Sequence, residues 1–335
     1  MTRKKILLAS KCQNDTTSFL RAMGAFTHPT LKPYIEIMRE PLKQEWVFDW
    51  SYFFEADLIY LHRPSNLHDR QIIDQAKQIG IPVWVDLDDD LENVTPDNPA
   101  FGVYDKEDSK ATIRFACNEA DVLSCGGEIH AEKLRKQLGR EVHLIPNALD
   151  DRLLSLKKPF SMNRQLSWRG SESHRTDLLF YQNEIEKILD RHNLDARFFG
   201  LNPYFLNWQN TRKISWLGVS NLFDFYVALT STNSTFHMHP MVDTWFNRVK
   251  SNLCWTDATL AGSVICAPNL PEYNRPGIFQ FKASDRHSFF HAMDEMINSL
   301  ERELTQAHNL SWEWIKDNIL LSRVNLIRLN ILKNL

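Results

Sequence analysis

Residues 239–273 read HPMVDTWFNRVKSNLCWTDATLAGSVICAPNLPEY, and this stretch decides the fold. The pattern predicts a loop, a helix that stops at Gly262, and a buried strand. Four donor residues lie at the predicted helix start, where unpaired N–H groups and the helix dipole attract anions: Asn247, Lys250, Ser251 and Asn252. Asp257 lies about two turns beyond Lys250. One helix face is therefore expected to offer a cation for a diphosphate and a carboxylate for ribose hydroxyls, which indicates a nucleotide-sugar site.

The composition sets broad limits on the class of protein. The chain has 335 residues, enough for two domains with separate cores. Its net charge of −3 gives no global reason to expect nucleic acid or an anionic membrane as a partner. The cysteines are odd in number, lack C-x-x-C spacing and fit reduced thiols: Cys12, Cys117, Cys125, Cys254 and Cys266. With no signal-peptide pattern and no transmembrane-length segment, we expect a cytoplasmic monomer or homodimer.

Short apolar runs alternate with helical patterns along the chain. Predicted strands in the first half cover residues 4–10, 57–62, 81–87, 120–125 and 141–147, with helices at 68–79, 110–119 and 129–138. A polar segment follows at residues 151–164. Alternation then restarts with strands at 165–170, 196–200, 213–218, 234–239 and 263–268 and helices at 176–192 and 221–229. The last helices are expected at 286–304 and 311–329, with Ser311 as an N-cap.

This alternation predicts an α/β protein with two doubly wound, Rossmann-like halves. We assign residues 1–150 to the N-terminal domain, 151–164 to a linker, 165–305 to the C-terminal domain, and 306–335 to a helix that packs back towards the N-terminal domain. Ligands of such sheets bind at the carboxyl ends of strands, which here means the cleft between the halves. Neither G-x-G-x-x-G nor a P-loop motif occurs, so the sequence lacks the motifs that usually indicate a dinucleotide dehydrogenase or a P-loop enzyme.

A second motif, LSWRGSESHRTDLLF, covers residues 166–180. A strand that ends in Arg169, Gly170 and Ser171 before a helix puts small residues and N–H groups where a phosphate can approach. Arg169 and Arg175 are candidate diphosphate clamps, because a guanidinium suits bidentate phosphate contacts. The alternative is an ordinary strand–turn–helix connection with arginines facing solvent. Further along, His237 and His239 share one strand face, and His239 is a candidate donor contact.

Residues 83–94, VWVDLDDDLENV, place four carboxylates at a strand end: Asp86, Asp88, Asp89 and Asp90. One interpretation is a solvated acidic turn that opens a helix. Another is a Mg²⁺-dependent, haloacid-dehalogenase-like phosphatase with Asp86 as nucleophile and Asp88 as acid/base. That motif normally follows the first strand, however, with Thr or Val where Asp90 stands. The third interpretation, which we favour, is an acceptor-side loop of a glycosyltransferase.

Both donor motifs resemble GT-B glycosyltransferases of family four (glycosyl transferases group 1). The first is similar to PL-x-D-x-x-FN-x-x-KS-x-L-K-x-x-E-x-x-x-x-G-x-P-V-I at Pro240, Met241, Asp243, Phe246, Asn247, Lys250, Ser251, Leu253, Asp257, Gly262 and Ile265. The second is similar to RGS-x-x-H-x-x-DL and includes His174 and Asp177. The acidic cluster followed by Pro96, Asn98 and Pro99, together with HLIPNALD at 143–150, resembles the family's first domain.

The chain also departs from the family pattern. Asp257 replaces the usual Glu, and Val249 stands where many relatives carry a first Glu. Val264 replaces Pro, and Cys254 replaces the second Lys. Residues 10–18 contain no Gly, although the family usually has a Gly-rich loop there. These departures leave open a GT-B fold that serves only as a binding module.

The resemblance implies a metal-independent hexosyl- or pentosyltransferase that moves a sugar from a nucleotide diphospho-sugar, such as a UDP-sugar, to an acceptor hydroxyl with retention. The implied donor site is Arg169, Gly170, Ser171, His174, Arg175, His239, Asn247, Lys250, Ser251, Asn252 and Asp257, with Asp257 at the ribose. Asp88 and Asp89 are candidates for orienting the acceptor hydroxyl. The acceptor stays open between a glycan, a metabolite and a hydroxymethylated base of phage DNA, and no cofactor is expected.

Overall fold

A computed structural model describes residues 3–9, 16–38, 50–209, 214–218 and 221–335. Cys12 and most of the predicted glycine-free loop at residues 10–18 lie outside the described residues. Within them, two parallel sheets are each covered by helices, so the predicted α/β class is confirmed. None of the described helices is long and apolar enough to cross a membrane.

The N-terminal sheet has the strand order β2-β1-β3-β4-β5-β6, and its pairs are parallel. Its strands are β1 Lys4–Leu8, β2 Ile35–Met38, β3 Leu58–His62, β4 Val83–Leu87, β5 Val122–Cys125 and β6 His143–Leu144. Its helices are α1 Thr16–Ser18, α2 Gly24–Phe26, α3 Trp50–Glu55, α4 Leu67–Ile79, α5 Phe101–Tyr104, α6 Glu107–Glu119 and α7 Glu128–Leu138. The central strands are buried along their whole length because helices cover both faces of the sheet.

The C-terminal sheet has the order β12-β11-β10-β7-β8-β9. Its strands are β7 Gln165–Gly170, β8 Asp195–Gly200, β9 Ile214–Leu217, β10 Phe236–Met238, β11 Val264–Pro268 and β12 Ile278–Phe281. The remaining helices are α8 Arg175–His192, α9 Leu222–Thr232, α10 Trp245–Arg248, α11 Leu253–Leu260, α12 Arg286–Asn298, α13 Glu301–Asn318 and α14 Leu321–Asn334.

The order of the C-terminal sheet reverses between β7 and β10, which pair directly. Connections leave such a pair in opposite directions, so a crevice opens at the carboxyl ends of these strands. Arg169 lies near the end of β7, and His239 directly follows β10. In the other sheet the reversal lies between β1 and β3, and Arg63 directly follows β3. The two crevices face each other across one cleft.

Several local predictions are wrong. The patterns missed β2 and β12, which are short edge strands. The carboxyl-terminal segment forms three helices, α12 to α14, where two were predicted. Ser311 is therefore no N-cap: it lies inside α13, is buried, and donates a hydrogen bond to the Pro276 carbonyl at 3.1 Å.

The last helix, α14, packs in the N-terminal half. Its Val324 and Leu332 join the core cluster that contains Ile6 and Leu8, and the Asn325 amide donates to the Ala25 carbonyl at 2.9 Å. The chain thus crosses between the halves at two neighbouring places, since residues 149 and 320 form a parallel bridge. The predicted domain boundaries remain predictions.

Candidate functional site

A cleft of about 400 Å³ lies between the two sheets. Its N-terminal wall consists of Thr17, Arg63, Asp88, Asp89, Leu91, Val94, Asn98, Pro99, Ala100, Tyr104 and Asn147. Its C-terminal wall consists of Arg169, Ser171, Glu172, Ser173, His174, His239, Phe246, Lys250, Ser251, Leu253, Cys254 and Tyr273. Predicted site residues therefore occur on both walls. Gly170, Arg175, Asn247, Asn252 and Asp257 do not line the cleft.

Arg169 reaches the cleft from the end of β7. One face of its guanidinium is backed by Asp257, with Nη2 and Oδ2 2.7 Å apart. Asp257 is only 3% exposed, and its pKa is raised by burial against the opposing charge of Arg169. Burial would lower the pKa of Arg169, but the charge of Asp257, together with the nearby Cys254, Tyr273 and Tyr226, raises it. Asp257 thus lies behind Arg169, and the Arg169 Nε has no hydrogen-bond partner among the described residues.

Lys250 is held from behind by a histidine. Its Nζ lies 3.3 Å from Nε2 of His174, and Nδ1 of His174 lies 2.9 Å from Oδ2 of Asp177. Because an ammonium group can only donate, Nε2 accepts from Lys250 and the proton on Nδ1 is donated to Asp177. Burial, followed by the charges of Lys250 and Arg169, holds the pKa of His174 well below its usual value. His174 is therefore a neutral link between a carboxylate and the cation.

Asp177 is in turn fixed by the segment that leads to Lys250. Its Oδ1 accepts hydrogen bonds from the Val242 N–H at 2.9 Å and from the Asn247 side-chain amide at 3.0 Å. Burial raises the pKa of Asp177 to about 6. Asn247 is buried in α10. Its side chain contacts Asp177 and orients it, and does not line the cleft.

The prediction of one helix with Lys250 at its start is wrong. The chain forms two short helices, α10 and α11, and residues 249–252 turn between them. Asn252 precedes α11, but its side-chain amide donates to the Glu272 carbonyl at 3.2 Å. The backbone N–H groups of Leu253 and Cys254 have no acceptor among the described residues, and both residues line the cleft. The start of α11 therefore presents free donors and a positive dipole end to the cleft.

The other predicted donor residues have varied surroundings. A Cβ at Gly170 would lie 2.6 Å from the Trp168 ring, so this glycine makes room for packing. Arg175 points away from the cleft, pairs with Glu172, and lies 4.0 Å from the centre of the Phe205 ring.

His239 lies between two other rings of the cleft wall. Its ring centre is 5.4 Å from that of His174 and 5.1 Å from that of Tyr273. Burial, and then the neighbouring His174, keep the pKa of His239 well below its usual value, so the ring is neutral. Its Nδ1 has no hydrogen-bond partner among the described residues. His239 thus lines the cleft and carries a buried polar atom that is left unsatisfied among the described residues.

The N-terminal wall carries two adjacent carboxylates that share one arginine. Nη2 of Arg63 lies 2.6 Å from Asp88 and 2.6 Å from Asp89, and His62 also contacts Asp88 at 2.9 Å. Burial would raise the pKa of Asp88, but Arg63 and His62 hold it well below its usual value. Burial and the charge of Asp88 raise the pKa of Asp89. Arg63 was not predicted from the sequence as a site residue, although its position directly after a central strand could have indicated it.

Asp86 lies beneath these two carboxylates and is 1% exposed. Arg21 donates to both of its oxygens, at 2.8 and 2.6 Å, and Ser124 donates to Oδ1 at 2.5 Å. Burial would raise the pKa of Asp86, but Arg21, helped by His62 and Ser124, holds it below its usual value. A carboxylate enclosed in this way cannot attack a phosphorus atom. The phosphatase interpretation is therefore wrong, and so is the interpretation of a solvated acidic turn.

Asp90 links the two halves of the molecule. Its Oδ2 accepts a hydrogen bond from the Trp245 indole N–H at 2.7 Å and pairs with Lys133. Trp245 begins α10, which leads directly to Lys250. The acidic segment of the N-terminal wall is thus joined to the Lys250 segment of the C-terminal wall. The sequence motifs did not predict a role for Trp245 in the site.

No family model matches this chain, and no curated protein matches it. Solved structures do. A UDP-forming α,α-trehalose-phosphate synthase from Burkholderia xenovorans aligns with a TM-score of 0.67 and 11% identity, covering 99% of each chain. An α-glucosyltransferase in complex with UDP and a 13-mer DNA containing an HMU base aligns at 0.65 and 10% identity, over 99% of this chain and 100% of that chain. HepE from Anabaena, in complex with UDP-glucose, aligns at 0.63 and 12% identity, with the same coverage. The chain therefore has the GT-B fold of these enzymes, with two Rossmann-like domains.

Proposed function

We propose that the protein is a glycosyltransferase that moves a sugar from a nucleotide diphospho-sugar to an acceptor hydroxyl. The observation that carries the proposal is the C-terminal wall of the cleft. Two cations, Arg169 and Lys250, border it together with the start of α11 and its free N–H donors. A diphosphate needs this combination of charge and directed donors. The GT-B fold supports the proposal, since its solved examples include complexes with UDP and UDP-glucose.

The chemistry requires a negative charge to be stabilised as the donor breaks. The acceptor oxygen bonds to the anomeric carbon while the bond from that carbon to the donor phosphate oxygen breaks. The electron pair leaves with the nucleoside diphosphate, which also takes up the hydroxyl proton. Arg169 and Lys250 neutralise the charge on the diphosphate, and they do so from fixed positions because Asp257 and His174 hold them.

Asp257 takes a different role in this proposal from the one its resemblance implied. It is buried behind Arg169 and outside the cleft wall, so we propose that it orients Arg169. Asn247 and Asp177 likewise orient Lys250 through His174. Asp89 is the proposed contact for the acceptor hydroxyl, since Asp88 is enclosed by Arg63 and His62. We propose retention of anomeric configuration from the resemblance to family four, and the anomeric proton coupling of the product tests it.

A donor panel tests the proposal. UDP-glucose, UDP-galactose, UDP-N-acetylglucosamine and GDP-mannose are screened by thermal shift, and donor hydrolysis is followed by nucleoside diphosphate release. We expect at least one donor to raise Tm and to be hydrolysed slowly, with water in place of the acceptor. Binding without hydrolysis or transfer would identify a binding module. No binding of any nucleotide sugar would contradict the proposal.

A further inference from the structure

We propose that the acceptor is an uncharged, hydroxylated molecule such as a neutral sugar residue, and that phosphate-bearing acceptors are rejected. This inference rests on the proposed function and names the substrate class for the N-terminal wall. The wall combines a carboxylate with an open oxygen, an arginine that is already paired, and apolar side chains. Each of these features favours a neutral hydroxyl-bearing ligand.

The arginine of the N-terminal wall is not available to an anion. Among the described residues that line this wall, Arg63 is the only cation. Its guanidinium contacts Asp88 through Nε and Nη2 and contacts Asp89 through Nη2. Two carboxylates against one guanidinium leave an excess of negative charge, and a phosphate placed here would be repelled.

Arg63 is also fixed in position by its backbone. It has a φ of 54°, in the left-handed region that a side chain other than glycine adopts at a cost. Its N–H donates to the Asp86 carbonyl at 3.0 Å, which holds the residue at the end of β3. Because the arginine is locked towards Asp88 and Asp89, it cannot swing out to meet a phosphate without losing both pairs.

Asp89 supplies the group that an acceptor hydroxyl needs. One oxygen, Oδ2, accepts from Arg63, and Oδ1 has no hydrogen-bond partner among the described residues. The side chain is 23% exposed, so it reaches the cleft. A free carboxylate oxygen accepts a hydrogen bond from a hydroxyl but repels a phosphate oxygen. Asp89 therefore selects for the uncharged group.

The rest of the wall suits the faces of a sugar ring. Leu91, Pro99 and Tyr104 provide apolar surface, and Asn98 and Asn147 add neutral polar groups. Two of the stretches outside the described residues, 10–15 and 39–49, carry no net positive charge by sequence. Residues 10–15 read SKCQND, with one Lys and one Asp, and residues 39–49 read REPLKQEWVFD, with two basic and three acidic residues.

Matched acceptors test the inference on the full chain. The donor is the nucleotide sugar that stabilises the protein most. Transfer rates are compared among glucose, glucose 6-phosphate and glucosamine, and among mannose, mannose 6-phosphate and mannosamine. A duplex oligonucleotide that contains a hydroxymethylated base is a further acceptor. Acceptors that bind without reacting are detected because they slow donor hydrolysis. We expect the neutral member of each set to outperform the phosphate by about tenfold or more, the effect of one like charge at short range.

The variant Asp89→Asn should lower the ratio of the transfer rate with the neutral acceptor to that with the phosphorylated acceptor. The same change at the half-exposed Asp74 of α4 should leave this ratio unaltered. Equal or better use of a phosphorylated sugar or of the oligonucleotide would overturn the inference. So would a preference for the amino sugar, or no difference within any set. If no donor binds or is hydrolysed, the proposed function itself fails, and that outcome is distinct.

Discussion

The two walls of the cleft use the same kinds of side chain in opposite ways. On the C-terminal wall, buried partners stand behind the cations: Asp257 backs Arg169, and neutral His174 backs Lys250. On the N-terminal wall, the cation Arg63 lies among the carboxylates and is paired with them at the cleft surface. The first arrangement leaves cations to bind an anion, and the second leaves a carboxylate oxygen to bind a hydroxyl.

This difference shows that the content of charged residues does not determine what a wall binds. Each wall has an arginine paired with aspartate, but Asp257 lies behind its arginine whereas Asp88 and Asp89 line the cleft, and this depth decides which charge faces the ligand. A carboxylate buried behind an arginine orients it, because the guanidinium still has donors left over. Variants on each wall test whether the two walls differ in this way.

Removing Arg169 should have the largest effect. Arg169→Ala leaves the buried Asp257 without its partner, and breaking a buried pair from one side costs about 3–5 kcal/mol of unfolding free energy. Urea denaturation measures this loss. The double variant Arg169→Met with Asp257→Asn removes both charges and should recover much of the stability without recovering donor binding. If Arg169→Ala were as stable as the parent, the ion pair with Arg169 would not be what stabilises the buried Asp257 carboxylate.

Lys250→Ala should weaken donor binding without a comparable loss of stability. A hydrogen bond to a charged group contributes about 1.5–3 kcal/mol, which corresponds to a rise in donor Kd of about tenfold to hundredfold. Isothermal titration with the nucleotide sugar measures the change. Lys316→Ala is the matched control, since Lys316 is half-exposed and, within the described part of the chain, its only ion pair is with Glu313 on α13. An unchanged Kd for Lys250→Ala would remove Lys250 from the donor site.

Donor affinity should fall as the pH drops through about 6, the value to which burial raises the pKa of Asp177. Protonated Asp177 attracts the His174 N–H less, and the support of Lys250 weakens. His174 itself stays neutral, because burial and the neighbouring cations hold its pKa far lower. Titrations across this pH range measure the effect. In Asp177→Asn the fall in donor affinity at low pH should disappear. If that fall persisted, a group other than Asp177 would cause it.

The stability contribution of Asp177 has the opposite sign. Its pKa in the folded protein, about 6, lies above the ordinary value of 3.8. The folded state therefore keeps this proton at a pH where the unfolded chain has lost it. The contribution is most favourable at low pH and is lost as the pH rises from about 4 to about 6. Unfolding free energies of the parent and Asp177→Asn across this window measure it.

Trp245→Phe should have a smaller effect on transfer, through the contact that joins the two walls. It removes the indole N–H that bonds Asp90, a contact worth about 1 kcal/mol, and keeps an aromatic ring. We expect transfer to fall several-fold while donor Kd stays close to that of the parent. Trp216→Phe is the control, because its indole N–H bonds the Gly200 carbonyl away from the cleft. Equal effects of the two changes would contradict a role for the Asp90 contact.

Chelation should have the smallest effect. Arg169 and Lys250 supply the positive charge that a metal ion supplies in other sites, so we predict that EDTA leaves the initial rate of transfer nearly unchanged. The rate with added Mg²⁺ or Mn²⁺ after chelation is the comparison. Loss of activity on chelation, with recovery on adding metal, would contradict the prediction and would require a different view of both walls.

The sequence predicted the layers of the molecule well because its apolar runs are short and regularly spaced. Strands β3, β4 and β5 stand out as buried runs between amphipathic helices. The edge strands β2 and β12 were missed because partial exposure weakens the signal. The helix boundary between α13 and α14 was missed because Ser311 suggested a start, although it lies within a helix.

For the site, the sequence identified Arg169, His174 and Lys250, since all three belong to motifs near strand ends or helix starts. It could not tell that Asp257 faces inward, because a helical position gives a direction only when the neighbouring elements are known. Arg63 and Trp245 were missed for the same reason. Their partners lie 25 and 155 positions away in the sequence, and only the packing of the two halves brings them together.

The location of a bound donor tests the central claim most directly. A crystal structure with a non-hydrolysable UDP-sugar should show the diphosphate against the C-terminal wall, within hydrogen-bond distance of Arg169, Lys250 and the N–H groups at the start of α11. The sugar should then face Asp89 across the cleft. A diphosphate bound at Arg63 on the N-terminal wall, or outside the cleft, would contradict the assignment of the two walls.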